Sequence, residues 1–340
     1  MDTNLRRELV DIRNVSGARR AMGESSPEEN QPHYHLLRKF KGDVDLLIIL
    51  NTKRCYYNCS FCDLPAKSSR NTISSKSIIH QMLSVFRLYA DSLDVMDRIT
   101  VSNEGSVFDH NTVDSFVLAA LANAITAIPN VGRLVLETRP EFVTSATLDA
   151  IQESAPRCII DILIGFETQD DKLRNVTLGK RQSKESLTVL LDMLATRERV
   201  ALTSYALVKP GFAQSDAAGI EEAQATIRYL AEQTAIRQIP LSVRLNPMYI
   251  PTTTRWGRQA QANGYLPPRL SDVFNVALWA ERHGIPAYVG LSTEGLANPN
   301  QSYRCRDDFG RDLLKRAIFF NNHAPNLGND TFPLEWICLK

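Results

Sequence analysis

VDLLIILNTKRCYYNCSFCDLP, residues 44–65, reads as a buried strand, Val44 to Leu50, that runs into a loop of cysteines. The loop spaces Cys55, Cys59 and Cys62 as C-x3-C-x2-C, with the aromatic Phe61 just before the last of them. Three thiolates this close in sequence can wrap one soft metal centre. A structural zinc site or an ordinary ferredoxin cluster takes four protein ligands. Three ligands from one loop leave one iron of a [4Fe–4S] cluster open, and an open position is where chemistry happens. The blander readings are a zinc knuckle completed by His35, Asp63 or Cys305, and three unrelated cysteines. Chance is a poor account, because Cys158, Cys305 and Cys338 are scattered singly.

The chain has 340 residues, 44% hydrophobic and 23% charged, the composition of a soluble globular protein. That length holds one large α/β barrel or two ordinary domains. No apolar run approaches a membrane span, and the first residues carry charges where a signal peptide needs an apolar core. The cytoplasm is the default location, and its reduced thiols suit cluster ligation. A formal net charge of +1 leaves no basic footprint of the kind nucleic-acid binders carry.

Residues 1–43 read as a lead-in, helical near Asn4–Met22 and then broken by GESSPEENQP, that caps the bottom of a barrel. From residue 44 apolar strands alternate with amphipathic helices. The expected strands are Val44–Leu50, Arg98–Ser102, Arg133–Glu137, Ile159–Gly165, Ala201–Val208, Ser242–Asn246 and Ala287–Leu291. The helices between them are Ser75–Tyr89, Asn111–Ala127, Ser145–Glu153, Ser183–Thr196, Gly219–Glu232 and Ser271–His283. This alternation predicts an α/β fold, a partial (βα)6 TIM-like barrel over 44–291, with a C-terminal extension over 292–340 capping it.

In such barrels the active site lies at the C-terminal ends of the strands. Polar residues gather there strand after strand: Ser102, Asn103, Glu104 and Gly105; then Glu137 and Arg139; then Gly165 and Glu167. Tyr205 and Lys209 end the fifth strand, and Arg244 and Asn246 the sixth. Asp170 and Asp171 read as a charged first helical turn.

The cysteine spacing resembles the signature of the radical S-adenosylmethionine (SAM) enzymes. ETRPEF, IGFET-x-DD-x-L, Y-x-L-x-KPGF, LNP and G-Y-x-PPR follow in one order. Together they resemble the branch that holds the Elongator-type catalytic subunits and the radical SAM subunit of archaeosine synthase. The resemblance covers about residues 44–290. It implies one [4Fe–4S] cluster on Cys55, Cys59 and Cys62, with SAM chelated at the open iron. It also implies a one-electron donor such as flavodoxin or ferredoxin.

A SAM pocket is then expected from Phe61, Asn103, Glu104, Gly105, Glu137, Arg139, Gly165, Glu167, Tyr205 and Asn246. The family's Gly-Gly-Glu-like turn is here Asn103-Glu104-Gly105, so Glu104 or backbone carbonyls hold the methionine amino group. Glu137 suits ribose hydroxyls, Arg139 a carboxylate, and Gly165 a close approach of cofactor to backbone.

The expected substrate is a small polar molecule, a nucleoside, sugar or amino-acid derivative, with Lys209, Arg244 and Arg304 as candidate anion binders. A tRNA base, carried over from the archaeosine-type resemblance, is disfavoured by the near-zero charge. A non-catalytic iron–sulfur or zinc protein leaves the strand-end polar residues unexplained. Tyr303 and Cys305 sit in a polar tail segment expected to leave the barrel at its catalytic end. Either could give a hydrogen atom to a radical; the alternative is an exposed loop with an incidental cysteine. An auxiliary cluster on Cys305 and Cys338 would be incomplete.

Overall fold

A computed structural model of the protein describes residues 28–291, 303–304 and 307–323. Its centre is an eight-stranded sheet whose strands lie side by side in chain order. β1 (Tyr34–Phe40) is antiparallel to β2 (Asp43–Leu50). β3 (Arg98–Asn103), β4 (Arg133–Thr138), β5 (Ile159–Glu167), β6 (Val200–Val208), β7 (Leu241–Pro247) and β8 (Ala287–Val289) continue from β2 in parallel.

A single turn, α1 (Leu64–Lys67), follows the cysteine loop. α2 (Ser75–Leu88), α3 (Ser115–Thr126), α4 (Ser145–Ser154), α5 (Lys184–Ala195) and α6 (Asp216–Ala235) link successive parallel strands. α7 (Arg255–Ala262) and α8 (Leu270–Arg282) lie between β7 and β8, and α9 (Asp307–Asn322) comes last. Six crossovers joining seven parallel strands make the α/β partial TIM barrel that the strand–helix alternation predicts.

Local chemistry explains where the helices start. Ser74, Thr144, Ser183 and Ser215 each accept a hydrogen bond from an amide three residues on, a cap worth about 1 kcal/mol. α5 then buries Leu187, Leu190, Leu191 and Leu194, an i, i+3, i+4, i+7 stripe, against the sheet. In β2, Leu46, Ile48 and Leu50 join the core between sheet and helices, while Leu47 and Ile49 pack in a separate cluster with Tyr34.

The sheet begins earlier than the sequence suggests. β1 lies in the stretch read as a lead-in and is paired with β2 along its whole length. Its sequence, YHLLRKF, hides this because Arg38 is buried where an apolar residue is expected, bonded to Asp45 at 2.9 Å. The helix expected near Asn4–Met22 lies outside the described residues. α6 starts at Asp216 rather than Gly219, and α7 and α9 occupy stretches read as long connections.

The sheet curls until its outer strands meet. Phe40 of β1 stacks on Tyr288 of β8, ring centroids 4.7 Å apart. α9 ties the same two edges. Its carbonyls at Asn321 and Asn322 accept from the Lys41 and Gly42 amides, at 2.7 and 2.8 Å. The Asn321 side chain meanwhile bonds both the N–H and the C=O of Val289.

Candidate active site

The cysteine loop is held from two sides. The Ser60 N–H donates to Leu178 O and its hydroxyl to Thr177 O, while the Trp256 N–H that opens α7 donates to Ser60 O. Asn58 takes a positive φ of 47°, which turns the chain so that Cys59 and Cys62 follow closely. Arg139, from the end of β4, lays its guanidinium 3.6 Å from the Tyr57 ring centroid. All three thiols are free. Burial pushes the Cys55 and Cys62 thiols above the usual range, Cys62 strongly, although that residue keeps some surface while its sulfur is enclosed.

Beneath this loop a cavity of about 280 Å³ opens at the C-terminal ends of the strands. It is bordered by all three cysteines and by Phe61, Asn103, Glu104, Gly105, Glu137, Arg139, Gly165, Glu167, Tyr205 and Asn246. The barrel mouth therefore brings together the whole set expected to meet SAM.

Most of the polar groups in this set have a defined partner. The Asn103 amide nitrogen reaches Thr52 Oγ1 and Ser106 O, and its oxygen accepts from the Gly105 N–H at 3.0 Å. A Cβ on Gly105 would stand 3.1 Å from the Cys55 Cβ, so glycine lets this turn press against the cysteine loop. Glu104 is buried with an oxygen 2.5 Å from His33 Nε2. The lead-in thus reaches the mouth of the barrel as well as its bottom. β1 runs antiparallel, which places its first residues beside the last residues of β2.

Glu137 accepts from Ser102 at 2.6 Å and from the Tyr205 hydroxyl at 3.4 Å, and burial raises its carboxyl above the ordinary range. Glu167 adopts φ 71° at a bulge in β5 and pairs with Lys180 at 3.0 Å. Non-glycine residues in this region are strained, and such strain gathers at functional sites. A Cβ on Gly165 would collide with Glu167 Oε1 and Lys180 Nζ. The space that glycine leaves is therefore filled by this ion pair, not left open for a cofactor. Arg139 is already forked, its Nη2 donating to Glu141 and to Lys180 O.

Three other candidates fall elsewhere. Lys209 takes φ 64° as β6 ends and swings away from the cavity; its ammonium bonds Asp216 at 2.7 Å and Leu266 O at 2.9 Å. Tyr303 is buried in the apolar cluster of α6, α8 and α9 and does not border the cavity, so the tail's tyrosine is a packing residue. Its neighbour Arg304 is spent on Asp216 at 2.6 Å. Cys305 and Cys338 lie outside the described residues. Cys158 is buried at the start of β5, against Val131 O, away from the mouth.

Sequence reasoning missed Lys180, Tyr57 and Tyr249, whose hydroxyl donates to Asp63 Oδ1 at 2.7 Å. Lys180 had one available signal: it stands beside Gly179, a glycine with φ 62° that closes the loop after IGFET.

The donor set fits a cluster with an open iron. Three free soft thiols share one loop, face one cavity, and have no fourth cysteine beside them among the described residues. A zinc knuckle needs its ligands gathered about one ion. Of the fourth ligands considered for one, Asp63 is held by the Tyr249 hydroxyl at 2.7 Å. His35 is turned to the Tyr89 hydroxyl at 3.1 Å.

No family model matches the chain. It is 22% identical over 293 residues to an uncharacterized protein of Methanocaldococcus jannaschii, covering 83% of this chain and 77% of that one. It is 21% identical over 283 residues to archaeosine synthase subunit beta of Thermococcus kodakarensis, covering 82% and 84% of the two chains. Among solved structures, HydG, a maturase of the [FeFe]-hydrogenase, shares the fold. Its TM-score is 0.50 at 8% identity, over 98% of this chain and 71% of that one. These relatives and this fold bear out the resemblance to the archaeosine-synthase-like branch of the radical SAM superfamily. Among the described residues no helix is long and apolar enough to cross a membrane.

Proposed function

We propose that the protein cleaves SAM reductively and directs the resulting radical at a C–H bond of a small polar substrate. Cys55, Cys59 and Cys62 would hold a [4Fe–4S] cluster with one open iron, which would pass one electron from an external donor to SAM and so release methionine and a 5′-deoxyadenosyl radical. The observation that carries the reading is a single cavity bordered by those three cysteines and by Glu104, Glu137, Arg139 and Glu167.

The chain's own residues bind, orient and enclose. Glu104, which borders the cavity and lies 2.5 Å from His33 Nε2, would accept the methionine ammonium. Glu137 accepts hydrogen bonds and stands ready for ribose hydroxyls. Lys180 and Glu167 present opposite charges at the rim, and Arg139 braces the cysteine loop through Tyr57. Leu47, Ile49, Leu207 and Met248 add apolar wall, which helps to keep water from a reactive carbon radical.

A second reading, favoured by the name of the Thermococcus kodakarensis relative, is the archaeosine-type reaction on a tRNA base. The net charge of +1 supports the small-substrate reading. The test is anaerobic reconstitution with iron and sulfide, followed by SAM and a reductant. Release of 5′-deoxyadenosine by the wild type but not by a Cys55→Ala, Cys59→Ala, Cys62→Ala triple variant supports the proposal. No SAM cleavage by a cluster-loaded wild type would sink it.

A further inference from the structure

The cavity holds a charge to which the residues of the SAM pocket make no hydrogen bond. Arg244, on β7, is only 4% exposed and borders the cavity. Its Nε and Nη2 have no hydrogen-bond partner among the described residues. The guanidinium lies among three rings, 4.9 Å from Phe40, 5.7 Å from Tyr288 and 6.0 Å from Tyr205. Arg244 is in register with Tyr205 on β6, and Phe40 pairs with Asp43, the first residue of β2, so the guanidinium reaches from the level of Tyr205 towards the end of the barrel opposite the cysteine loop.

The nearby carboxylates make their hydrogen bonds to other groups, although the charge of Arg244 acts on Asp45 and Glu137. Asp45 accepts from Arg38 at 2.9 Å and from Thr100 at 2.8 Å, with Arg98 at 3.5 Å. Glu137 accepts from Ser102 and Tyr205. Asp161 gives one oxygen to Arg133 at 2.8 Å and Thr203 at 3.1 Å; its other oxygen is buried without a hydrogen-bond partner among the described residues and makes no hydrogen bond to Arg244. Three guanidiniums therefore surround one carboxylate, Asp45, at the floor. An arginine stays charged inside proteins, and a buried charge without a hydrogen-bonded partner is unfavourable. The missing partner is an anion that enters from the cavity.

We propose that Arg244 is the subsite for an oxyanion of the substrate, a carboxylate or a phosphate, gripped at the floor so that the other end of the molecule points up to the cysteine loop. This rests on the proposed function and narrows its substrate class to a small molecule with an anionic end. The planar guanidinium forks onto either oxyanion, and the three rings hold it flat.

The test reads anion binding, not turnover. The thermal midpoint of the protein is measured with sodium phosphate, sodium acetate or sodium chloride at one ionic strength, for wild type, Arg244→Gln and Arg244→Lys. A ligand that binds only the folded state raises the midpoint. The proposal expects phosphate or acetate to raise it above chloride in the wild type and in Arg244→Lys, but not in Arg244→Gln. A larger rise with phosphate assigns a phosphate ester, and a larger rise with acetate a carboxylic acid.

In chloride, Arg244→Gln should melt no lower than wild type, because it removes a buried charge that lacks a partner. A lower midpoint there would make Arg244 a structural cation and overturn the proposal, as would an equal anion response in wild type and Arg244→Gln. SAM has a carboxylate of its own, so SAM affinity of the reconstituted protein is measured by equilibrium dialysis. Affinity within about twofold of wild type in Arg244→Gln supports a substrate subsite. A drop of about tenfold or more would assign Arg244 to SAM and overturn the proposal, while leaving the radical SAM reading intact.

Discussion

Lys180 Nζ lies 3.0 Å from Glu167 Oε1, and both side chains are almost wholly enclosed. The lysine comes from the loop after β5 and the glutamate from the last residue of β5, so the pair fastens a loop to the strand end that frames the cavity. Lys180→Met leaves a buried carboxylate unpaired and should cost about 3 kcal/mol of stability in urea unfolding. Adding Glu167→Gln to it should restore most of that loss. Equal losses in the single and double variants would show that the pair is not coupled.

Gly165→Ala places a methyl group where that ion pair sits. Overpacking of this kind costs about 1–3 kcal/mol. The loss should shrink when Lys180→Met is present, since the longest obstacle is then uncharged and free to move. An unchanged midpoint in Gly165→Ala would mean that the pair gives way without cost.

Glu137 carries a pH signature. Burial raises its folded carboxyl above the unfolded value, with the Ser102 hydrogen bond and Arg244 opposing. Between the unfolded and folded values the folded state binds more protons, so stability falls as pH rises through that window. Glu137→Gln removes the penalty. The stability difference between variant and wild type should therefore grow in the variant's favour from acid towards neutral pH, then level off. A difference that is flat with pH would show that Glu137 is solvated.

The three cysteines should behave as one unit. The reconstituted wild type should hold about four irons per chain, and each single Cys→Ala variant should lose both the cluster absorption and SAM cleavage. A fourth iron-bound protein thiolate in an active preparation would contradict an open iron.

The small-substrate reading makes a negative prediction for nucleic acid. Filter binding at moderate salt should show no tight complex with tRNA, because a phosphate backbone is gripped by basic surface that a net charge of +1 does not supply. Tight tRNA retention would favour the archaeosine-type reaction.

What the sequence made legible follows its periodicities. The apolar strands and the Ser and Thr caps announce themselves locally, and β2 to β8 were found within a few residues. β1 was missed because Arg38 faces the buried interior, and a charge compensated from the neighbouring strand looks like a loop residue when read alone. The same limit applies to the site. Residues at strand ends could be placed at the mouth from topology, but Lys209 could not, because its left-handed backbone reverses the direction in which the side chain leaves. Lys180 and His33 come from loops whose paths only the folded chain defines.

The meeting of β1 and β8 differs in kind from the other strand boundaries. A backbone ladder between two strands shifts only by whole residues, since every N–H must find another carbonyl. Stacked rings such as Phe40 and Tyr288 carry no such register. Asn321 gives its side-chain amide to Val289 of β8 and its backbone carbonyl to the Lys41 N–H that follows β1, so one residue spans the line where the two edges meet. The barrel is thus closed along this line by ring contact and one asparagine, whereas its other strand boundaries are closed by backbone ladders.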